Sequence, residues 1–339
     1  MQLYKLYEPY ELYKLNRIFA YQSIETMKSY TRNIVIGLCV ALAACSFSRG
    51  KKAEQGAARV QAFRLPEIPS IYTDEREQVK YLVARYWEHF DFADTSLIRR
   101  PEITEQAFAN YLQLFPRVPY ADVERAIASM LDRAMDADSV MFAHFTSLYE
   151  KYLYDPNSPM LSEEFYIPVL RYIVASPRVG EVDKLRPAFR LEMALKNRPG
   201  SAATDFVYTL PSGKREKLSD IRADYTILFF NNPDCDACRA IKAEFEAADF
   251  VNFLLREKRG ESRRLVFLSV YPDPDVEAWR RHLKEQPKSW VCAYDDGQVI
   301  KEQRLYDLRA IPTFYLLDRD KKIIFKDVPF RVIASFLEQ

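Results

Sequence analysis

From Asp74 to about Asn197 the apolar residues recur at helical spacing. Val79, Leu82, Val83, Tyr86 and Phe90 lie at i, i+3, i+4, i+7 and i+11, the mark of a helix with one buried face. Val123, Ile127, Met130, Leu131 and Ala134 repeat the pattern. Pro101, Pro116, Pro119, Pro156, Pro159 and Pro177 cut the segment into lengths that suit five or six helices, because proline ends a helix or begins the next. After Asn197-Arg198-Pro199-Gly200-Ser201-Ala202-Ala203, a run of breakers and small residues, the period changes. Residues 206–210, 225–230, 265–270, 313–318 and 322–326 read as strands. Residues 236–258, 274–284 and 330–338 read as helices. That order predicts an all-α helical domain over 71–197, followed over 198–339 by an α/β domain with a mixed sheet flanked by helices.

The apolar run 34–44 (IVIGLCVALAA) behaves differently. It is shorter than the roughly 20 residues a spanning helix needs and follows Lys28 and Arg32, so it reads as the apolar part of a signal segment. An uncleaved anchor or a buried helix is the plainer alternative. The run closes on Leu42-Ala43-Ala44-Cys45, which resembles the lipobox of bacterial lipoproteins and implies lipidation at Cys45. Residues 1–26 are rich in tyrosine and in charge, unlike a compact basic leader, so Met27 is the better start. The expected organisation is therefore a leader over 1–44, a tether over 45–70 and the two domains. The mature chain would sit in an oxidising compartment. Ser46 after the cysteine points, by resemblance to lipoprotein sorting, to the periplasmic face of the outer membrane.

Composition removes several chemistries. Lys+Arg 49 against Asp+Glu 48 leaves a formal charge of +1, so no global basic field recruits nucleic acid. Only eight glycines occur and no two form G-x-G, which excludes Gly-rich phosphate loops. The three histidines, His89, His144 and His282, are far apart in sequence, and His89 and His144 read as partly buried helix residues without a second ligand one turn away. No metal or cofactor is expected. The aromatics Tyr81, Tyr86, Trp87, Phe90, Phe92, Tyr149, Tyr152 and Tyr154 are expected to form core rather than a binding groove.

Chemistry is left to the five cysteines. Phe229-Phe230-Asn231-Asn232-Pro233-Asp234-Cys235-Asp236-Ala237-Cys238 leaves a buried strand and enters a helix with C-x-x-C at the junction. A thiolate there faces unpaired backbone N–H groups and the positive end of the helix dipole, which makes Cys235 the expected nucleophile. Cys238, one turn further in, is the expected resolving thiol. Asp234 and Asp236 flank Cys235, and negative charge beside a thiolate disfavours it, which tunes the pair toward the disulfide. Cys292 reads as a small buried hydrophobe at a strand end. Half a zinc site and a thiol peroxidase are the rival readings. No second C-x-x-C or nearby His completes the first, and the P-x-x-x-T-x-x-C spacing of the second is missing.

With these residues in place, 200–339 resembles a thioredoxin-like domain of membrane-anchored thiol–disulfide oxidoreductases related to the cytochrome-maturation reductases. Ala310-Ile311-Pro312-Thr313-Phe314 resembles the family's cis-proline loop, and the resemblance implies that Pro312 faces the cysteines while Ile311 pairs with an extended substrate. Asp205-Phe206, Gly213-Lys214 and Leu218-Ser219-Asp220-Ile221 resemble the extra N-terminal strands of this branch. Trp279, Trp290 and Tyr306-Asp307-Leu308 follow in the family's order. The helical half resembles a domain of unknown function that precedes thioredoxin-like domains in Bacteroidetes-type lipoproteins.

Two departures stand out: Asp234 replaces the usual Trp before the first cysteine, and Phe229 replaces a buried acid six residues upstream. Glu244 and Glu216 are candidates for the missing acid/base. The resemblance implies a lipid-anchored periplasmic reductase or isomerase that uses protein disulfide or dithiol clients and a membrane redox donor, with no nucleic-acid partner. The alternative is a redox-inactive lipoprotein of the same fold that serves as a binding scaffold through its helical half.

Overall fold

The computed structural model describes residues 62–339. The leader, the Met27 start, Cys45 and the first part of the tether lie outside the described residues. Among the described residues the chain separates into two compact units between Ser176 and Pro177.

Among its described residues the first unit holds five α-helices: α1 (Glu75–Arg85), α2 (Thr104–Leu112), α3 (Tyr120–Ala137), α4 (Ser139–Leu153) and α5 (Glu163–Ala175). Side chains begin three of them. Asp74 accepts from the N–H of Arg76 at 2.9 Å and of Glu77 at 3.2 Å, Asp138 caps α4 through Val140, and Ser162 caps α5 through Phe165. Each satisfies a donor the helix leaves unpaired. The apolar stripes meet in an aromatic core. The Trp87 ring packs edge-on against Phe90 (5.3 Å), Phe145 (5.1 Å) and Tyr111 (5.7 Å), and Phe90 packs on Phe92 at 4.9 Å. All five rings are buried; of the aromatics expected in the core, Tyr86, Trp87, Phe90, Phe92 and Tyr149 are buried, whereas Tyr81, Tyr152 and Tyr154 are half-buried at its edge. His144 is partly buried on α4, whereas His89 lies beyond the end of α1 and is exposed. The helical pattern was extended too far there, because α1 closes at Arg85 and a turn follows.

The second unit opens with α6 (Glu181–Ala194), so the helical stretch 71–197 is shared between the units. Contacts at its C-terminal end explain the grouping. The Arg304 guanidinium lies 5.0 Å over the Phe189 ring, Lys196 donates to the Arg304 carbonyl at 2.9 Å, and Asn197 donates to that of Leu305 at 2.8 Å.

Eight strands follow: β1 (Val207–Thr209), β2 (Arg215–Lys217), β3 (Ala223–Phe230), β4 (Lys258–Arg259), β5 (Ser262–Tyr271), β6 (Val291–Tyr294), β7 (Thr313–Leu317) and β8 (Ile323–Lys326). They form one mixed sheet in the order β2-β1-β6-β5-β3-β7-β8, with β4 paired to β5. β3 runs parallel to β5 and antiparallel to β7, and β5 runs parallel to β6. The central strands are buried along most of their length, as apolar runs covered on both faces must be. The expected mixed sheet flanked by helices is thus the fold.

One predicted helix is two. Residues 236–258 divide into α7 (Asp236–Glu246) and α8 (Asp249–Arg256), while Lys258 starts β4. The Asn252 amide donates to the carbonyls of Phe245 at 2.9 Å and Ala248 at 3.1 Å, adding to the backbone N–H groups those carbonyls already accept and tying the two helices together at the break. Four elements escape the apolar pattern: the short strands β2 and β4, β6, and the short helix α10 (Val299–Glu302), which the Asp295 carboxylate caps through the N–H groups of Val299 and Ile300. The helix between β5 and β6, α9 (Val276–His282), is shorter than predicted. The chain closes on α11 (Phe330–Leu337).

Candidate active site

The topology assembles the site at one end of the sheet. β3 delivers the chain to Cys235. The parallel neighbour β5 ends at the same edge and releases the loop with Asp273. The antiparallel neighbour β7 begins there, with Thr313 in register with Phe230, so the loop before it lies against the cysteines. Ile311-Pro312 in that loop is the cis peptide bond among the described residues. The loop is pinned from within, since Arg309 pairs with the Asp307 carboxylate at 2.6 Å and the Thr313 hydroxyl donates to the Ala310 carbonyl at 2.6 Å.

Cys235 is the N-cap of α7, with extended backbone (φ −88, ψ 123). Its sulfur accepts the backbone N–H of Cys238 at 3.4 Å, and its thiol faces the Ile311 carbonyl at 3.7 Å. A cap position leaves helix N–H groups pointing at the side chain, which favours negative charge there. Cys238 is buried, and that burial, with the neighbouring Cys235 thiol adding to it, pushes its thiol up to about 12. The two thiols are free. One is partly exposed at a helix mouth; the other is held neutral one turn inside. The pair suits a nucleophile and a thiol that reacts after it.

Both flanking carboxylates have a basic side chain within reach. Asp236 pairs with Arg239 on the same helix. Asp234 lies 3.2 Å from Nε2 of His282, whose Nδ1 lies 3.1 Å from the Glu285 carboxylate. The approach to the cysteines is braced from below and behind. Buried Asn231 donates to the Ser269 hydroxyl at 2.7 Å, and Asn232 donates to Asp273 at 2.9 Å while accepting the Asp234 N–H at 2.9 Å.

Other candidates fall elsewhere. Phe229, in place of a buried acid, stacks on Phe314 at 4.5 Å and meets Phe267 and Trp290 edge-on. Glu216 on the edge strand is tied to Lys214 at 2.7 Å and to the Tyr208 hydroxyl at 3.1 Å, and Glu244 is exposed on α7. Cys292, on β6, packs with Tyr271, Trp279 and Tyr294, and burial pushes its thiol up to about 11. Sequence reasoning missed His282, Asn231, Asn232 and Asp273. For the asparagines the signal was present: polar residues ending an apolar strand. For His282 and Asp273, distant in sequence from the cysteines, only the pairing of β3 with β5 supplies it.

Comparison with known proteins bears on the fold. A thioredoxin-like protein from Bacteroides caccae is 44% identical, covering 82% of this chain and 99% of that one, with a TM-score of 0.78. The C-terminal domain of an uncharacterized protein from Bacteroides fragilis is 39% identical over 42% of this chain and 99% of that one, with a TM-score of 0.39. Among curated proteins, the probable nucleoredoxin 3 of Oryza sativa is 25% identical over 193 residues, which is 56% of this chain but only 38% of that protein. Residues 22–197 match the family described as Domain of unknown function (DUF5106). That match takes in more than half of the sequence, and the chain belongs to this family, with a thioredoxin-like fold in its C-terminal part.

Proposed function

We propose that the protein is a thiol–disulfide oxidoreductase of the reducing or isomerising kind, held at the periplasmic face of the outer membrane by a lipid on Cys45. The observation that carries the chemistry is the Cys235 sulfur at the N-cap of α7, accepting the Cys238 N–H with the Ile311 carbonyl opposite. In the reaction, the Cys235 thiolate attacks one sulfur of a client disulfide. That S–S bond breaks, a mixed disulfide forms, and the client's other sulfur leaves as a thiolate and takes a proton. Cys238 then loses its proton and attacks the Cys235 sulfur. The mixed disulfide breaks, and the client departs as a dithiol while the protein carries the Cys235–Cys238 disulfide. An external dithiol, here a membrane redox donor, restores the reduced pair. Ile311, whose carbonyl faces the Cys235 thiol, and Pro312 after it are the residues we assign to hold an extended client segment, a role the facing carbonyl supports. A centre without His or Lys between its cysteines, and with acids on either side, has little to stabilise the thiolate beyond the helix end, which places it toward the reductant side.

Trapping tests this reading. Cys238→Ser should accumulate mixed disulfides with client proteins through Cys235, and Cys235→Ser should accumulate none. If neither variant changes client redox state, the scaffold reading replaces it. Radiolabelled palmitate incorporation that disappears in Cys45→Ala tests the anchor separately.

A further inference from the structure

His282 is the one imidazole among the described residues of the sheet unit, and the C-x-x-C chemistry as described does not use it. Its ring joins two segments. On one side Nε2 meets Asp234, the residue before the nucleophile, at 3.2 Å; on the other Nδ1 meets Glu285 at 3.1 Å. The ring is mostly covered, with 28% of its side chain exposed, while Asp234 and Glu285 are about two-thirds exposed at 66% and 64%. A second clasp holds the same segments together, since Lys242 of α7 donates to the Glu285 carbonyl. Nδ1 is hydrogen-bonded to Glu285, whereas Nε2 and Asp234 meet as an ion pair whose attraction exists only when the imidazole is charged. The charged surroundings are known from each side. Asp236 is paired with Arg239 on α7, Asp273 is held by Asn232 and by Lys301 at 3.5 Å, and Asp275 caps α9. On α9 itself Glu277 pairs with Arg280, and Arg281 neighbours the ring in sequence. Asp234 is thus the carboxylate next to Cys235 whose cationic partner is a histidine and not an arginine or lysine.

We propose that His282 is a positioning residue of the redox centre: by holding Asp234 and, when protonated, cancelling its charge, it makes the readiness of Cys235 to react depend on the protonation of an imidazole. The inference rests on the functional reading above only for its biological use. Negative charge beside a thiolate disfavours it, so protonated His282 favours the Cys235 thiolate and loss of the imidazole proton withdraws that help. The sign is opposite to the ordinary rise of thiolate with pH. The wild-type reactivity curve should therefore be shallower than a one-proton titration.

The probe is iodoacetamide, which needs no client: the Cys235 sulfur forms a bond to carbon, the carbon–iodine bond breaks and iodide leaves. Initial rates are read by mass spectrometry in the Cys238→Ser background. His282→Gln should lower the rate about two- to five-fold near about pH 6 and make little difference near about pH 8, the modest size reflecting solvent screening of an exposed carboxylate. His282→Lys, whose charge does not titrate in this range, should remove the shallow region and react faster than wild type near about pH 8. Asp234→Asn should shrink the effect of His282→Gln, because the ring then loses the carboxylate that holds it beside the cysteine. An equal loss for His282→Gln at both pH values, or a loss undiminished by Asp234→Asn, would overturn the proposal and leave a packing role. If the predicted shifts appear but no client disulfide is reduced by the otherwise unaltered protein, the functional reading fails and this inference stands.

Discussion

The two units use aromatic residues in contrasting ways. In the helical unit, Trp87, Phe90, Phe92, Tyr111 and Phe145 pack on one another as a core. In the sheet unit, Phe229, Phe245, Phe267, Trp290 and Phe314 form a comparable layer, with Phe267 stacked on Trp290 at 4.2 Å. This second layer stops at the end of β3, and beyond it come Asn231, Asn232, Asp234 and the thiols. An aromatic layer of this kind supplies stability in either place. Reactivity arises where such a layer gives way to polar groups that are each held by a partner, so that a helix end and a buried thiol keep fixed positions.

The comparison can be broken most forcefully through the cores. Trp87→Ala and Phe229→Ala should each cost about 3–5 kcal/mol, the range for deleting a large buried aromatic, in chemical denaturation followed by a probe in the affected unit. They should differ in the thiols. Native Cys235 alkylation should be unchanged in Trp87→Ala and altered in Phe229→Ala, because Phe229 belongs to the strand that sets the C-x-x-C in place. Equal effects on the thiols would dissolve the distinction between the units.

A smaller effect is expected from Asn231→Ala, which leaves the buried Ser269 hydroxyl without its partner and should cost about 1–3 kcal/mol in urea midpoint measurements. The pH dependence of stability sharpens the picture further. Cys238 is raised from 9.0 to about 12 in the folded chain, so below about 9 the thiol is protonated in both states and nothing is lost. As pH rises from there toward about 12, the unfolded chain releases a proton that the folded chain retains, and stability falls. Reduced wild type should therefore lose stability between pH 8 and pH 10 faster than Cys238→Ala does; parallel losses would show that this thiol is not held as described. The smallest effect belongs to Cys292→Ala, which should change thiol exchange by less than about two-fold, because that sulfur packs among rings and takes no part in the pair.

Much of this was legible in the sequence because burial writes itself as periodicity. The helices of the first unit follow from their apolar spacing and prolines, and β3, β5, β7 and β8 from their apolar runs. The cysteine pair was legible because a strand ends and a helix begins around it. What was not legible depended on contacts between distant residues. β6 is four residues long and gains its place by pairing with β5, and the break between α7 and α8 is bridged by Asn252, which reaches back to the Phe245 carbonyl. The partners of Asp234 and Asp236 differ in the same way. Arg239 stands three residues from Asp236 on one helix, a spacing that sequence can show, whereas His282 reaches Asp234 only after β5 and α9 have folded beside β3.

The central claim is that Cys235 and Cys238 form one reversible two-electron pair. Equilibrating the reduced protein in glutathione buffers of graded potential, then mapping disulfides by mass spectrometry, tests it directly. The expected result is a single Cys235–Cys238 bridge, with Cys292 free and a potential more reducing than the about −180 mV of protein disulfide isomerase. A pair that never closes, a bridge to Cys292, or a potential near the about −120 mV of the strong bacterial oxidant would contradict it.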